Sequence, residues 1–485
     1  MEIITAKNGL KVPVVKGTPL HSRIDPSKES LHFLSDQDKN KILIVVGLGF
    51  AYHLLEAQKS GQKIIVIEPD TSLISFFQKE GLENLKKITV LSGSFHEISR
   101  YLETDIPWQD MKEVVIKAHQ PSLRIRPELY QPYLDFLKNW QEKKLLNLIT
   151  DAAFGVLWIK NLLKNLLRPL SFPVFSNKNQ SPALIIGSGS SLTETLPFIQ
   201  DNQNQFILIA IPQVLKILKQ YQIQPDLVVM VDSGYANRFY LEEMNVPLLT
   251  YLNSSALSIK YWKGPVYFMN SLLPFDQLLI PEFPPIPVSG SAANTVIEIA
   301  SLLSSQIILT GFDFSFVHNL YHYQGNPLEN ELIYLSDKKY PLDQKQFQWV
   351  YPDSPSSLFS HSGKKIKTNI SMMTYYKDFC QKIESKKHSH TFSVLTPETA
   401  FFPGAELYSS DQIPKKEKSL DKTRWIQVSR LKKRIEELKA IYESRDLKNE
   451  ILQIHLTRYL MKKLDYQDEI KITHKKIIRI LKKLS

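Results

Sequence analysis

Short, unbroken apolar runs alternate with amphipathic stretches along most of the chain. The first is Lys41-Ile42-Leu43-Ile44-Val45-Val46, followed directly by Gly47-Leu48-Gly49. A helical stretch and a second run, Ile64–Ile67, come next and end at Glu68-Pro69-Asp70, with further strands expected at Ile88–Leu91 and Val114–Lys117. Apolar strands separated by helices predict a parallel sheet covered on both faces. From Pro127 to about Leu167, Tyr, Trp and Leu recur at three- and four-residue spacing, which predicts a helical connector that Pro169 and Pro173 interrupt. A second α/β run starts at Ala183–Ile186, with strands expected at Phe206–Ile211, Leu227–Val231, Leu248–Leu252, Val266–Met269 and Ile307–Thr310. Lys338–Lys367 is rich in Pro, Ser, Asp and Lys and reads as a long loop or lid. Near the end, Val428, Leu431, Ile435, Leu438 and Ile441 form one helical stripe, and two more amphipathic segments follow near Ile451–Leu464 and Ile470–Leu484. The expected division is an α/β domain over 1–125, a helical connector over 126–175, a central α/β domain over 176–405 and a helical domain over 406–485.

Composition narrows the class. With 485 residues, 43% hydrophobic and 22% charged, the chain is an ordinary globular protein of several domains. The single cysteine, Cys380, excludes a disulfide framework and a Cys-based zinc site. No unbroken apolar run of about 18 residues occurs, so no membrane span is expected. The first residues lack the basic and apolar regions of a secretion signal, so a cytoplasmic location is expected. Charge is uneven: Lys415–Ser485 holds 21 Lys/Arg against 10 Asp/Glu, which is the whole net charge of +11. A basic block of this kind suits an acidic protein, an anionic surface or nucleic acid, and equally a solvated helical face. No RNP-type or zinc-finger pattern points to nucleic acid.

Two glycine turns carry candidate chemistry. Gly47-Leu48-Gly49 follows a strand and opens a helix, and Glu68 ends the next strand, where an acid can hold ribose hydroxyls. The third glycine of the dinucleotide fingerprint is missing, and a structural turn explains the same residues. Gly187-Ser188-Gly189-Ser190-Ser191-Leu192 offers backbone amides and three hydroxyls at a strand-to-helix turn, which suits a phosphate; a flexible turn with a serine N-cap is the plain alternative. It lacks the lysine of a P-loop. Pro225–Ser233 is a strand with Asp226 at its start and Asp232 at its end. Ser289-Gly290-Ser291-Ala292-Ala293-Asn294-Thr295 reads as another such turn, in which Ser291 or Asn294 donates to a ligand or Ser289 caps the helix. Thr310-Gly311-Phe312-Asp313-Phe314 leads to His318, Tyr321, His322 and Tyr323. His361 lies in the candidate lid with Thr368 close behind. Spacing does not choose among the three histidines. No carboxylate cluster at metal spacing appears, and no metal is expected.

The order of four of these motifs, Ala183–Leu192, Pro225–Ser233, Ser289–Thr295 and Thr310–Phe314, resembles the motility accessory factors, the Maf-type flagellin glycosyltransferases. Their members carry a Gly-x-Gly-Pro-Ser-Leu turn, a Pro-Asp-to-Asp strand, a Gly-Ser-x-Ala-x-Thr helix start and a Gly-x-Asp turn. The hydroxymethylpterin pyrophosphokinases with an MptE-like core share this arrangement, and the similarity spans about residues 180–380. The core is also similar to bacterial sialyltransferases that use CMP-activated donors. Here Ser190 replaces the usual proline, and Ala210-Ile211-Pro212 stands where relatives often carry a polar Asp or Asn.

The resemblance implies an N-terminal Rossmann-like domain, a central Rossmann-like sialyltransferase-type domain and a C-terminal helical domain. It implies transfer of a nonulosonic acid, of pseudaminic or legionaminic type, from a CMP-sugar to Ser or Thr of flagellin, with no separate cofactor. In that comparison Gly187–Ser191, Asp232, Ser289, Gly290, Ser291, Asn294, Asp313, His322 and Thr368 surround the donor, Tyr321 contacts the leaving phosphate and His361 is the general base. The basic C-terminal helices would dock flagellin. The alternatives are an ATP- and Mg²⁺-dependent pterin pyrophosphokinase and a non-catalytic flagellin-binding module.

Overall fold

A computed structural model describes residues 2–79, 88–106, 108–174, 181–286, 291–342, 344, 347, 356–415, 417–418, 424–426, 431–446, 449–461 and 467–484. The chain forms two compact units, Met1–Asp151 and Ala152–Ser485. Boundaries therefore fall differently from the sequence expectation. The connector is one helix, α1 (Pro127–Asn165): Tyr130, Leu134, Leu137 and Trp140 belong to a core of the first unit, Ile159, Leu162 and Leu163 to that of the second. By length and composition α1 could cross a membrane, with an 18-residue window of mean hydropathy 1.2 that is 28% buried. Asp151 and Lys160 interrupt its apolar residues, so the sequence shows no unbroken run there.

In the first unit, a parallel sheet holds β1 (Ile42–Val46), β2 (Ile64–Ile67), β3 (Ile88–Leu91) and β4 (Val114–Ala118) in the order β3-β2-β1-β4. Side chains alternate between faces with period two. Ile44, Val46, Ile65 and Ile67 meet Ile98, Leu102 and the first part of α1, whereas Leu43, Val45, Ile64 and Val66 meet Leu48, Leu54 and Ala57. Both faces are covered, which is why these strands read as continuous apolar runs. A small antiparallel sheet of Glu2–Thr5, Lys11–Val15 and Thr18–Pro19, which the patterning did not predict, precedes them.

The second unit is built on eight parallel strands: β5 (Ala183–Ile186), β6 (Ile207–Ala210), β7 (Leu227–Met230), β8 (Leu248–Tyr251), β9 (Val266–Met269), β10 (Gln306–Thr310), β11 (Thr391–Val394) and β12 (Ala405–Leu407). Their order is β9-β8-β7-β6-β5-β10-β11-β12. The chain steps outward from β5 to β9, then returns to place β10 on the other side of β5. The strand direction of travel thus reverses between β5 and β10, and such a switch point opens a crevice beyond the strand ends. In the first unit the same reversal falls between β1 and β4.

Helices α2 (Leu192–Asn202), α3 (Ala292–Leu303) and α4 (Ile370–Lys386) belong to this unit. So do α5 (Leu431–Ser444), α6 (Glu450–Met461) and α7 (Gln467–Leu484). The C-terminal helices are not a separate body: Ile435, Leu438, Tyr442, Leu452, Ile477 and Leu481 join the main core. Tyr442 replaces Ile441 as the deeply buried member of the α5 stripe, and Val428 lies outside the described residues. Within the expected lid, Ser356–Phe359 and Lys365–Thr368 form an antiparallel hairpin, while 343, 345–346 and 348–355 lie outside the described residues.

Candidate functional site

At the β5–β10 switch point lies an open cavity of about 250 Å³. Gly187, Ser188, Gly189, Gly311 and Asp313 form its base, with Ile211, Gln213, Ser291, Tyr321, His322, Ser371 and Tyr375 among the residues around it. Three of the four motifs singled out in the sequence therefore converge, as strand ends at a switch point must.

The glycines of this base serve chain crossing. The Gly187 amide donates to the Thr310 carbonyl and the Gly189 amide to the Gly311 carbonyl, each at 2.8 Å. A Cβ on Gly187 would stand 2.5 Å from the Gly311 carbonyl oxygen, and one on Gly189 would stand 2.5 Å from the Asp313 carboxylate carbon. Gly311 has φ +68, and a Cβ there would collide with the Gly187 carbonyl. The expectation that both glycine amides face a phosphate is thus corrected: each already has a backbone acceptor.

Asp313 is corrected likewise. It is 2% exposed, and both its oxygens accept from Ser191: Oδ1 from the hydroxyl at 2.5 Å and Oδ2 from the amide at 2.9 Å. Burial pushes its carboxyl up to about 6, against those two hydrogen bonds. Ser190 donates to the Val317 carbonyl at 2.6 Å. Asp313, Ser190 and Ser191 hold the turn's shape.

Among the polar groups that line the cavity, Ser188 and His322 are joined Oγ to Nδ1 at 3.0 Å, with Tyr321 edge-on to His322 at 4.7 Å between ring centres. Burial lowers the His322 imidazole to about 4, so it is neutral at pH 7. Gln213 also lines the cavity, and its buried Oε1 has no hydrogen-bond partner among the described residues. Sequence reasoning missed it, although it follows Ala210-Ile211-Pro212, where a polar contact was sought. Ser371 and Tyr375 were missed too; a helix start after Asn369, the α4 N-cap, was their only signal.

Four expected site residues stand elsewhere. His361 is not among the lining residues; its Nε2 accepts from the Phe402 amide at 3.1 Å, which occupies the lone pair a base would use. Thr368 is fully buried and donates to the Phe314 carbonyl at 2.6 Å. Asn294 bonds Asp378 at 2.5 Å and the Tyr375 carbonyl at 3.3 Å, tying α3 to α4. Asp232 accepts from the Gly234 amide at 3.2 Å beyond β7 and does not line the cavity. Ser291 caps α3 by accepting from the Ala293 amide at 3.2 Å. Ser289 and Gly290 lie outside the described residues.

The N-terminal candidate site is also corrected. Glu68 is fully buried and accepts from the Leu48 amide at 2.8 Å, the Asp70 amide at 2.8 Å and the Tyr130 hydroxyl at 2.9 Å. Burial nonetheless pushes its carboxyl up to about 7. It ties the loops together and turns no oxygen toward a ribose. The space beside the turn is filled: a Cβ on Gly47 would lie 3.1 Å from His119 Cβ, and one on Gly49 would lie 2.5 Å from His21 Nε2.

These features define a doubly wound α/β protein with a polar crevice at the switch point of its larger sheet. Residues 158–319 match the family described as 6-hydroxymethylpterin diphosphokinase MptE-like. The fold of the whole chain is similar to the MAf glycosyltransferase from Magnetospirillum magneticum AMB-1, with a TM-score of 0.62 at 11% identity over 100% of this chain and 90% of that one. No curated protein sequence matches. The resemblance read from motif order therefore holds in the fold.

Proposed function

We propose that the chain is a glycosyltransferase that moves a nonulosonic acid from a CMP-activated donor to Ser or Thr hydroxyls of flagellin. The observation that carries the reading is the switch-point cavity with its Ser188–His322 pair, in a chain whose whole length follows the fold of a Maf glycosyltransferase. The donor and acceptor come from the family that the order of the four motifs resembles.

The chemistry fits the side chains. The bond from the sugar anomeric carbon to the CMP phosphate oxygen breaks, one to the acceptor oxygen forms, and the acceptor hydroxyl gives its proton to the departing phosphate. Negative charge develops on the departing phosphate, and donors aimed at it lower the barrier. His322 and the Tyr321 hydroxyl are suited to that place. The neutral imidazole of the free protein gains affinity for a proton when a phosphate lies beside it. Gln213 Oε1 needs a donor, and the exocyclic amine of cytosine is one. His361, whose Nε2 accepts from the Phe402 amide, is not placed to act as the general base.

The basic surface supports an acidic partner. On α7, Lys475, Lys476, Arg479 and Lys483 are exposed, while His474, Ile477 and Leu481 face inward. Complementary charge steers association.

The match over 158–319 favours a second reading, a pterin diphosphokinase. Such an enzyme needs carboxylates to hold Mg²⁺ against the triphosphate. Asp313 is the sole carboxylate among the described lining residues, and Ser191 engages both its oxygens. The deciding experiment incubates the protein with flagellin and a CMP-nonulosonic acid and weighs the flagellin by mass spectrometry. A mass gain of one sugar residue supports the transferase; ATP consumption with a hydroxymethylpterin and no such gain overturns it.

A further inference from the structure

The first unit fills its own switch-point crevice with three imidazoles. His21 comes from the loop after Thr18–Pro19, His53 from the turn after β1, and His119 directly from the end of β4. All three are at most 4% exposed. The rings of His53 and His119 stack at 4.4 Å between centres, and His21 lies 4.8 Å from His119. We propose that His21, His53 and His119 bind one divalent transition-metal ion of the Zn²⁺ class.

Several independent features point to a ligand there. One nitrogen from each ring can be chosen so that all lie within 4.8 Å of one another. Both nitrogens of His53 are buried without a hydrogen-bond partner among the described residues. A buried polar atom left unpaired is costly, so two on one ring are an expensive arrangement unless something binds them. The outer nitrogens are already held as in metal centres, where a ligating histidine uses its other nitrogen to bond a carboxylate or another polar group. His21 Nδ1 bonds Glu29 Oε2 at 2.6 Å, and Glu29 Oε1 in turn accepts from the Ser22 amide at 2.5 Å. His119 Nδ1 bonds Ser122 Oγ at 2.7 Å.

The Glu29 contact places the His21 proton on Nδ1 and its lone pair on Nε2, where the Phe50 amide now donates at 2.7 Å. Metal binding exchanges that hydrogen bond for a metal–nitrogen bond. A tetrahedral ion with bonds of about 2.0–2.1 Å lies in the plane of each ring and needs its nitrogens roughly 3.3 Å apart, so metal binding turns the His53 and His119 rings out of their stacked arrangement, now 19° from parallel. The neutral imidazole is the form that ligates. Three imidazoles select Zn²⁺, Co²⁺, Ni²⁺ or Cu²⁺ over Mg²⁺ and Ca²⁺, which prefer oxygen. The ion would pin the His21 loop and the Gly47–His53 turn to the end of β4, which gives the site a structural task.

The full chain, stripped with chelator and dialysed, is titrated with Co²⁺ and then Zn²⁺, following visible absorption, bound metal by mass spectrometry and thermal midpoint. The expected result is one Co²⁺ per chain with the intense bands of a tetrahedral site, displacement by one Zn²⁺, and a midpoint several degrees higher. His53→Phe keeps an aromatic filling and is expected to abolish uptake; His119→Gln is the second variant. No uptake and no midpoint shift by the unmutated chain overturns the proposal without reliance on any variant. Uptake that persists in both folded variants overturns it as well.

Discussion

Ser191 satisfies both carboxylate oxygens of Asp313 across the β5–β10 switch point, with its hydroxyl on one and its amide on the other. Asp313→Asn keeps the shape and loses one acceptor, so it should cost about 1–3 kcal/mol. The carboxyl sits at about 6 in the folded chain against 3.8 ordinarily. The folded state therefore holds more protons between those values, and this group's contribution is full below 3.8 and lost as pH rises through about 6. Urea midpoints from pH 4 to 6.5 should fall less with rising pH in Asp313→Asn than in the parent. Parallel profiles would contradict the assignment.

Gly189 is where the turn meets the Asp313 carboxylate, so Gly189→Ala should destabilise by about 2 kcal/mol or more through overpacking. This makes Gly189 a poor probe of ligand binding, because loss of affinity there would follow from loss of the turn. Thermal unfolding of the variant beside Ser188→Ala checks it: only the glycine change should lower the midpoint markedly.

Two histidines are separated by their surroundings. His322→Ala should weaken CMP affinity by roughly tenfold or more, the scale of a lost charge-assisted hydrogen bond. His361→Ala should leave CMP affinity within about twofold, because its ring lies against Phe401 and Phe402 outside the cavity. Calorimetry on both variants is the check, and equal losses would contradict the separation.

Charge reversal of Lys475, Lys476 and Lys483 to Glu should weaken flagellin binding by roughly tenfold at low salt, with a smaller difference at high salt as screening removes the steering. CMP affinity should not change. Biolayer binding at two ionic strengths tests this, and salt-independent affinity would count against an electrostatic acceptor surface.

Much of the fold was legible because strands buried on both faces leave unbroken apolar runs. Ile42–Val46, Ile64–Ile67 and Ala183–Ile186 were readable in this way. The candidate site was legible as a set of turns, since a glycine pair after a buried strand marks a switch point. The roles within it were not. Nothing in Gly311-Phe312-Asp313 says that Ser191, some 120 residues earlier, will occupy both oxygens. Nothing in Gly363 or Thr368 says that His361 will face Phe402. The short strands Thr391–Val394 and Ala405–Leu407 add to a sheet edge already formed, and their pattern is too brief to separate from loop. His21, His53 and His119 are far apart in sequence, and the hint of their meeting is only that His119 directly follows the strand ending at Ala118 and His53 follows the Gly47–Tyr52 turn.

The central claim is that the β5–β10 cavity receives a CMP-activated sugar. Calorimetric titration of the full chain with CMP, set beside ATP with Mg²⁺, tests it most directly. One CMP site per chain is expected, weakened by His322→Ala and by Gln213→Ala, with ATP bound more weakly. Absence of CMP binding, or Mg²⁺-dependent ATP binding in its place, would contradict it.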